Sequence, residues 1–151
     1  MDKFWKSAHW LTRLILLPPT LILTLIAFRH IAHPVAAAAA QGITLPTALG
    51  VTIARVGLGG FPLGCAIFMV TCLVSTRRLL TGLNFVAILI GVVLVVRIFA
   101  MNADATVHEN VKLVNAEIGL LAVTGLGFFV ELRRRAYLRR THSELETREW
   151  I

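Results

Sequence analysis

Four long, mostly apolar stretches divide the chain, and short polar or basic segments separate them. They run over residues 10–28, 47–74, 79–101 and 113–130. A membrane-spanning helix needs about 20 mostly apolar residues, and each stretch is close to that length or longer. The pattern predicts an all-α fold, an integral membrane four-helix bundle over residues 1–131, followed by a basic tail over residues 132–151.

The first stretch also has features of a secretory signal peptide, because basic residues precede it and the alanines at 36–40 resemble a cleavage site. Arg29, His30 and His33 separate the apolar run from these alanines, and the run is long for a signal peptide, so we expect a retained span. The connection over residues 30–45 is apolar enough to predict a short helix or an interfacial segment.

Composition agrees with a membrane environment. Hydrophobic residues make up 57% of the 151 residues and charged residues only 15%, whereas soluble domains are about 25% charged. A disordered chain is excluded, because disorder combines low hydrophobicity with high charge. The spans also leave no room for a soluble catalytic domain.

The net charge of +7 is unevenly placed. Eleven of the fifteen basic residues lie near the N-terminus, between the second and third stretches, or in the tail: Lys3, Lys6, Arg13, Arg77, Arg78, Arg133, Arg134, Arg135, Arg139, Arg140 and Arg148. Only Arg29 and Lys112 lie in the other connections. Since basic residues are retained in the cytoplasm, we expect both termini there, in a bacterial inner membrane, and no nucleic-acid partner.

The tail carries an arginine cluster next to the membrane. Each basic residue there can add about 1 kcal/mol of attraction to anionic lipid. We predict that these residues bind lipid headgroups, with docking of a partner protein as the alternative: Arg133, Arg134, Arg135, Arg139 and Arg140.

Three ionisable residues lie deeper within the predicted spans, where such groups usually face the bundle or a wet cavity. Arg97 is near the end of the third span and Glu117 near the start of the fourth, so both lie about 6 Å inside the same boundary. We predict an intramembrane polar cluster in which Glu117 neutralises Arg97, with Arg55, about 12 Å deep, as a third candidate. Two interpretations stay open: an ion pair that fixes helix register, and an anion-binding or proton-linked site.

Helical spacing indicates which other residues of the third and fourth spans share a face with one another. In the third span Asn84 and Gly91 share a face that excludes Arg97, which predicts two contact faces for that span. One stripe of the fourth span carries Glu117, Leu121, Thr124 and Phe128.

The second span contains a glycine-rich segment, ARVGLGGFPLG at residues 54–64. Pro62 cannot donate to the Leu58 carbonyl, so a kink is expected. Three small residues on nearly one face favour close approach of another helix, with a dimer face or a hinge as alternatives: Gly57, Gly60 and Gly64.

Recognisable catalytic chemistry is weak or absent, so no enzyme activity and no cofactor are predicted. His30 and His33, with His108 and Glu109 in the other outer loop, are potential metal ligands. Their spacing is weakly specific, and we interpret them as solvated loop residues and predict no metal.

From residue 54 onward the chain resembles a group of small, uncharacterised bacterial four-span membrane proteins that are distantly similar to the DoxX-like families. The resemblance covers about residues 47–131. It implies a four-helix membrane bundle and little about activity. The residues that carry it are Arg55, Gly57, Gly59, Gly60, Gly64, Arg97 and Glu117.

These observations predict a non-enzymatic accessory or scaffold subunit of a membrane assembly. Its expected partners are membrane lipids and either a membrane protein or a second copy of the chain. The alternative is a small transporter, or a lipid- or anion-binding protein, that uses the cluster of Arg55, Arg97 and Glu117. A membrane enzyme that uses the outer histidines ranks third.

Overall fold

The structure, a computed structural model, describes residues 2–104 and 107–149, and the side chains of residues 7–104, 107, 108 and 110–141. All secondary structure in these ranges is helical, which confirms the all-α prediction. The side chains of Lys3, Lys6, Glu109 and Arg148, which entered the sequence analysis, lie outside the described residues. The helix α1 (Asp2–Ala32) continues through Pro18 and Pro19.

The chain divides into two compact units, one formed by residues up to Leu16 and from Ser75 onward, the other by Leu17–Val74. In the second unit, α1 is followed by α2 (Pro34–Ala39) and α3 (Ala48–Ala54). The α2 helix begins with proline, whose fixed φ suits a first helical turn. It confirms the short helix expected in this connection.

The second span of this unit combines three segments. Its first part, α3, is capped by Thr47, whose hydroxyl accepts the Gly50 N–H at 3.0 Å. A π-helical segment (Arg55–Gly60) follows and leads directly into α4 (Phe61–Val74). The π-helical segment ends two residues before Pro62, where the sequence predicted a kink.

The first unit contains α5 (Leu79–Ala103) and α6 (Val107–Glu149), and a 3-10 turn (Thr76–Arg78) leads into α5. Helix α5 buries a stripe at three- and four-residue spacing: Leu79, Gly82, Leu83, Val86, Ile90 and Met101. Of the α6 residues whose burial is described, the buried ones form a matching stripe: Thr124, Gly127, Glu131 and Arg134.

The two stripes approach closely at Gly127. A Cβ at this position would lie 3.2 Å from Leu83 Cδ2 and 3.0 Å from Ile15 Cδ1, so a side chain here would press into both neighbours. Asn84 is exposed. Within the first unit, the packed face of α5 is therefore the stripe that meets α6, and the second contact face predicted around Asn84 stays a prediction.

Four helical segments are long and apolar enough to cross a membrane: Ser7–Ala32, Ala48–Val74, Thr76–Ala103 and Asn110–Thr141. They correspond to the four predicted spans and extend beyond most of the predicted ends. Helix α6 continues unbroken past residue 131, so the basic tail begins as part of the same helix. Large apolar side chains such as Phe99 and Val74 are about three-quarters exposed, as expected where lipid is the solvent.

Candidate functional site

Arg97 and Glu117 form an ion pair between α5 and α6. The Arg97 Nε and Nη2 groups both donate to Glu117 Oε1, at 2.8 and 2.7 Å. The two side chains are only 28% and 18% exposed, so water screens this pair weakly. The predicted pairing of these two residues is present in the structure.

Asn110 is a third member of this cluster that the sequence analysis did not select. Its Oδ1 accepts a hydrogen bond from Arg97 Nη1 at 3.2 Å. Asn110 lies seven residues before Glu117, a spacing that places both on one face of α6. That spacing was the feature of the sequence from which Asn110 could have been predicted as a member of the cluster. Glu117 Oε2 is buried and accepts no hydrogen bond from the described residues.

A cavity of about 430 Å³ lies beside this ion pair. Its polar lining consists of Arg97, Asp104 and Asn110, and the remainder is apolar α5 surface. The Arg97 charge is already matched by Glu117, and Asp104 adds a carboxylate. The lining therefore offers an anion little net attraction, which favours the structural interpretation of the Arg97–Glu117 pair.

Arg55 belongs to the other unit, at the start of the π-helical segment. Its side chain is exposed, and none of the described residues forms a hydrogen bond or ion pair with its guanidinium. The structure thus brings Arg97 and Glu117 together, and the inclusion of Arg55 in their cluster stays a prediction.

The close helix contact in the second span falls on Gly59. A Cβ there would lie 2.7 Å from Ile31 Cγ1 and 3.4 Å from the Ala27 carbonyl oxygen. By contrast, a Cβ on Gly57 or Gly64 would meet no described atom within 4 Å, and one on Gly60 would meet only the Arg55 carbonyl, at 3.9 Å.

The predicted packing face of Gly57, Gly60 and Gly64, beside Pro62, stays a prediction, and the close contact that the structure shows within this unit is at Gly59 instead. The π-helical segment has wider turns than an α-helix, which changes which residues share a face. The three glycines remain available for the alternative, a face for another copy or another protein.

A second charged cluster surrounds Glu131, which is completely buried. Arg134 binds its carboxylate through two hydrogen bonds, Nε to Oε2 at 2.8 Å and Nη2 to Oε1 at 2.7 Å. Arg135 Nε donates to Oε1 at 3.0 Å, and Arg135 Nη2 donates to the Arg77 carbonyl oxygen at 2.7 Å. This cluster ties α6 to the 3-10 turn before α5.

The Glu131 cluster determines how part of the tail is arranged. Arg134 is 7% exposed and its Nε and Nη2 groups bind Glu131, so only its Nη1 group is left for a headgroup, and its predicted headgroup binding stays a prediction. Arg133 is exposed and lies over the Phe129 ring, 5.0 Å from its centroid. Arg139 and Arg140 are also exposed and remain candidates for contact with lipid headgroups.

The outer histidines do not form a site in the described residues, where no group of three potential metal ligands occurs. His33, between α1 and α2, and His108, in the first turn of α6, are both exposed. His30 differs from the expectation, because it is 3% exposed and its Nδ1 lies 2.9 Å from the Ile26 carbonyl oxygen. Glu109 lies outside the described side chains.

No family model matches the chain, and searches of curated proteins and of solved structures find no match either. The similarity to DoxX-like families therefore stays a prediction. The four long apolar helices and the apolar surface are those of a multi-pass membrane protein. Two contacts of charged side chains join elements within the first unit: Arg97 with Glu117, and Arg135 with the Arg77 carbonyl oxygen.

Proposed function

We propose that this protein is a non-enzymatic accessory or scaffold subunit of a membrane assembly, located in a bacterial inner membrane with both termini in the cytoplasm. The observation that carries the proposal is an exposed polar side chain within a span, Asn84. In support of it, Arg97 pairs with Glu117, and Arg134 and Arg135 pair with Glu131, so these charged groups have partners within the chain.

Asn84 lies five residues after Leu79, the first residue of α5, and therefore about 8 Å into the span. Its side chain is exposed, and its amide forms no hydrogen bond with the described residues. A polar group without a partner is costly in hydrocarbon. An interhelical hydrogen bond in a membrane contributes about 0.6 to 2 kcal/mol. A helix of another subunit that supplies this bond would remove the cost.

Arg55 supports the same proposal from the other unit. It also lies within a span, is exposed, and has no hydrogen-bonded or charged partner among the described residues. An arginine at the centre of a span costs about 2.5 to 3.5 kcal/mol on insertion scales. An acidic group on a partner protein would neutralise it.

The proposed orientation rests on the distribution of basic residues. Arg77, Arg78 and the tail arginines lie in the connections that four spans place on the same side as both termini. Because basic residues near spans are retained in the cytoplasm, these arginines favour a cytoplasmic location for that side of the protein. An even number of spans leaves the N-terminus and the C-terminus on one side of the membrane.

Purification from native membranes in a mild detergent tests the subunit proposal. We expect a stoichiometric protein partner, or a second copy, that is lost in Asn84→Leu. Asn102→Leu is a matched control, because Asn102 is exposed on the same helix but donates to the Ile98 carbonyl at 2.8 Å. A single-copy protein with no partner, unchanged by Asn84→Leu, would contradict the proposal.

The second candidate is a small transporter, or a lipid- or anion-binding protein, that uses Arg55, Arg97 and Glu117. The cavity beside Arg97 is the observation that favours it. A solute or lipid that copurifies with the isolated chain, and is lost in Arg97→Gln, would support this function over the first. The internal pairing of Arg97 with Glu117 places it second.

A further inference from the structure

A cleft of about 440 Å³ lies where the 3-10 turn meets α6, and it is lined by Thr76, Arg77, Arg134 and Arg135. It lies within the first unit, and its α6 residues are 24 or more positions along that helix from Asn110, which lines the Arg97 cavity. Three of its four lining residues are arginines. We propose that this cleft binds a phosphate group.

The buried Glu131 holds two of the arginines in place. Its carboxylate accepts Nε and Nη2 of Arg134 and Nε of Arg135. These bonds leave the Nη1 groups of both residues for a ligand. Because the guanidinium groups are already fixed, a phosphate would bind them with little further loss of side-chain freedom.

Thr76 and Arg77 supply further donors. The Thr76 hydroxyl oxygen accepts a hydrogen bond from Arg13 Nη2 at 3.4 Å, so its own proton is available for an anion. The Arg77 carbonyl is fixed by Arg135, while its guanidinium is exposed and makes no hydrogen bond with described residues. Guanidinium groups bind phosphate oxygens through paired, charge-assisted hydrogen bonds.

The charge of the cleft favours an anion. Its three arginines face one carboxylate, Glu131, which leaves two positive charges without a matching negative one. Both oxygens of Glu131 already accept hydrogen bonds from arginine. The repulsion that a carboxylate would exert on an incoming phosphate is therefore offset within the site.

The position of the cleft places it at the level of lipid phosphates. Helix α4 ends at Val74, α5 begins at Leu79, and the predicted apolar stretch of α6 ends at Val130. The lining residues therefore lie where the apolar segments meet the polar boundary. A lipid headgroup and free inorganic phosphate present the same chemistry here, and experiment separates these two sources.

Lipid titration by native mass spectrometry tests the site on the full chain, in phosphate-free buffer and a maltoside detergent. We expect phosphatidylglycerol to bind and the uncharged diacylglycerol not to bind. Arg77→Gln should weaken binding about tenfold, the effect of losing one charge-assisted contact. Thr76→Val should weaken it less. Both variants leave Glu131 and its arginines intact, and circular dichroism checks their folding.

Arg78→Gln is the matched control, because Arg78 lies in the same turn, is exposed, and does not line the cleft. It removes the same charge as Arg77→Gln and should change the affinity less than about twofold, since only diffuse attraction is lost. Equal losses in Arg77→Gln and Arg78→Gln would overturn the proposal, because attraction would then depend on charge alone.

Inorganic phosphate distinguishes the two sources. If millimolar phosphate does not displace phosphatidylglycerol and does not bind by calorimetry, the cleft recognises a lipid headgroup. If phosphate binds in wild type, binds about tenfold more weakly in Arg77→Gln, and displaces the lipid, free phosphate is the ligand. Absence of binding by both probes overturns the proposal.

Discussion

Arg97 on α5 and Glu117 on α6 meet through two donors on one oxygen, at 2.8 and 2.7 Å. Glu131 lies 14 residues further along α6, about 21 Å from Glu117 along the helix, and binds Arg134 and Arg135 beside the turn that begins α5. Charged clusters therefore fix α6 near both ends of its apolar part. Between them lie Thr124 and the close approach at Gly127.

Exchange of the charges at 97 and 117 tests the first of these clusters. Arg97→Glu and Glu117→Arg should each destabilise the protein by about 1–3 kcal/mol, because each leaves two like charges together. The double variant should recover most of the loss, and Asn110 can then donate to the new carboxylate. Thermal unfolding, monitored by size-exclusion chromatography after heating, measures how much stability the double variant recovers. Single variants as stable as wild type would show that the pair contributes nothing.

Removal of Glu131 should have a larger effect. Glu131→Ala leaves the buried Arg134 without its anion, and breaking a buried pair costs about 3–5 kcal/mol. Adding Arg134→Met to Glu131→Ala should restore part of the stability, since an apolar side chain suits the site. Arg139→Gln, at an exposed position, serves as the control. A Glu131→Ala melting curve equal to that of the control would contradict the buried cluster.

Alanine should destabilise the protein at Gly59 but not at Gly57. Gly59→Ala forces a Cβ to within 2.7 Å of Ile31 Cγ1, and such overpacking costs about 1–3 kcal/mol. Gly57→Ala meets no described atom within 4 Å, so it should be neutral or gain up to about 1 kcal/mol in helix propensity. The melting temperatures of the two variants test this difference in stability. Equal melting temperatures for Gly59→Ala and Gly57→Ala would show that the close helix contact is not at Gly59.

The proposed orientation predicts the outcome of reporter fusions. Green fluorescent protein at either terminus should fluoresce, since it folds in the cytoplasm, whereas alkaline phosphatase at either terminus should be inactive. A phosphatase inserted into the connection at residues 40–46 should be active. The reverse pattern would overturn the assignment that we draw from the basic residues.

Much of the fold could be predicted from the sequence. Apolar run lengths indicated the four spans, because a helix in lipid must be both long and apolar. Counting residues from the span ends placed Arg97 and Glu117 at one depth, and the structure joins them. This inference works where antiparallel neighbours share a boundary.

Other features depended on tertiary structure that no pattern displayed. Glu131 follows the last apolar residue of its predicted span and was given no role in the sequence analysis, yet it is completely buried. Its spacing to Arg134 and Arg135 was a signal for pairing, but nothing indicated burial. Gly59 was not singled out for packing because the helical wheel assumed regular α-helix, and the π-helical segment changes the faces.

The subunit proposal is tested most directly by cross-linking at position 84 in intact membranes. With the buried Cys65 and Cys72 replaced by alanine, Asn84→Cys should form a stoichiometric cross-link to a partner protein or a second copy. Cysteine at the exposed position 96, about 120° around α5 from Asn84, should react far less. If Asn84→Cys remains an uncross-linked monomer while a lipid-soluble thiol reagent labels it fully, the face around Asn84 contacts only lipid, and the central claim is wrong.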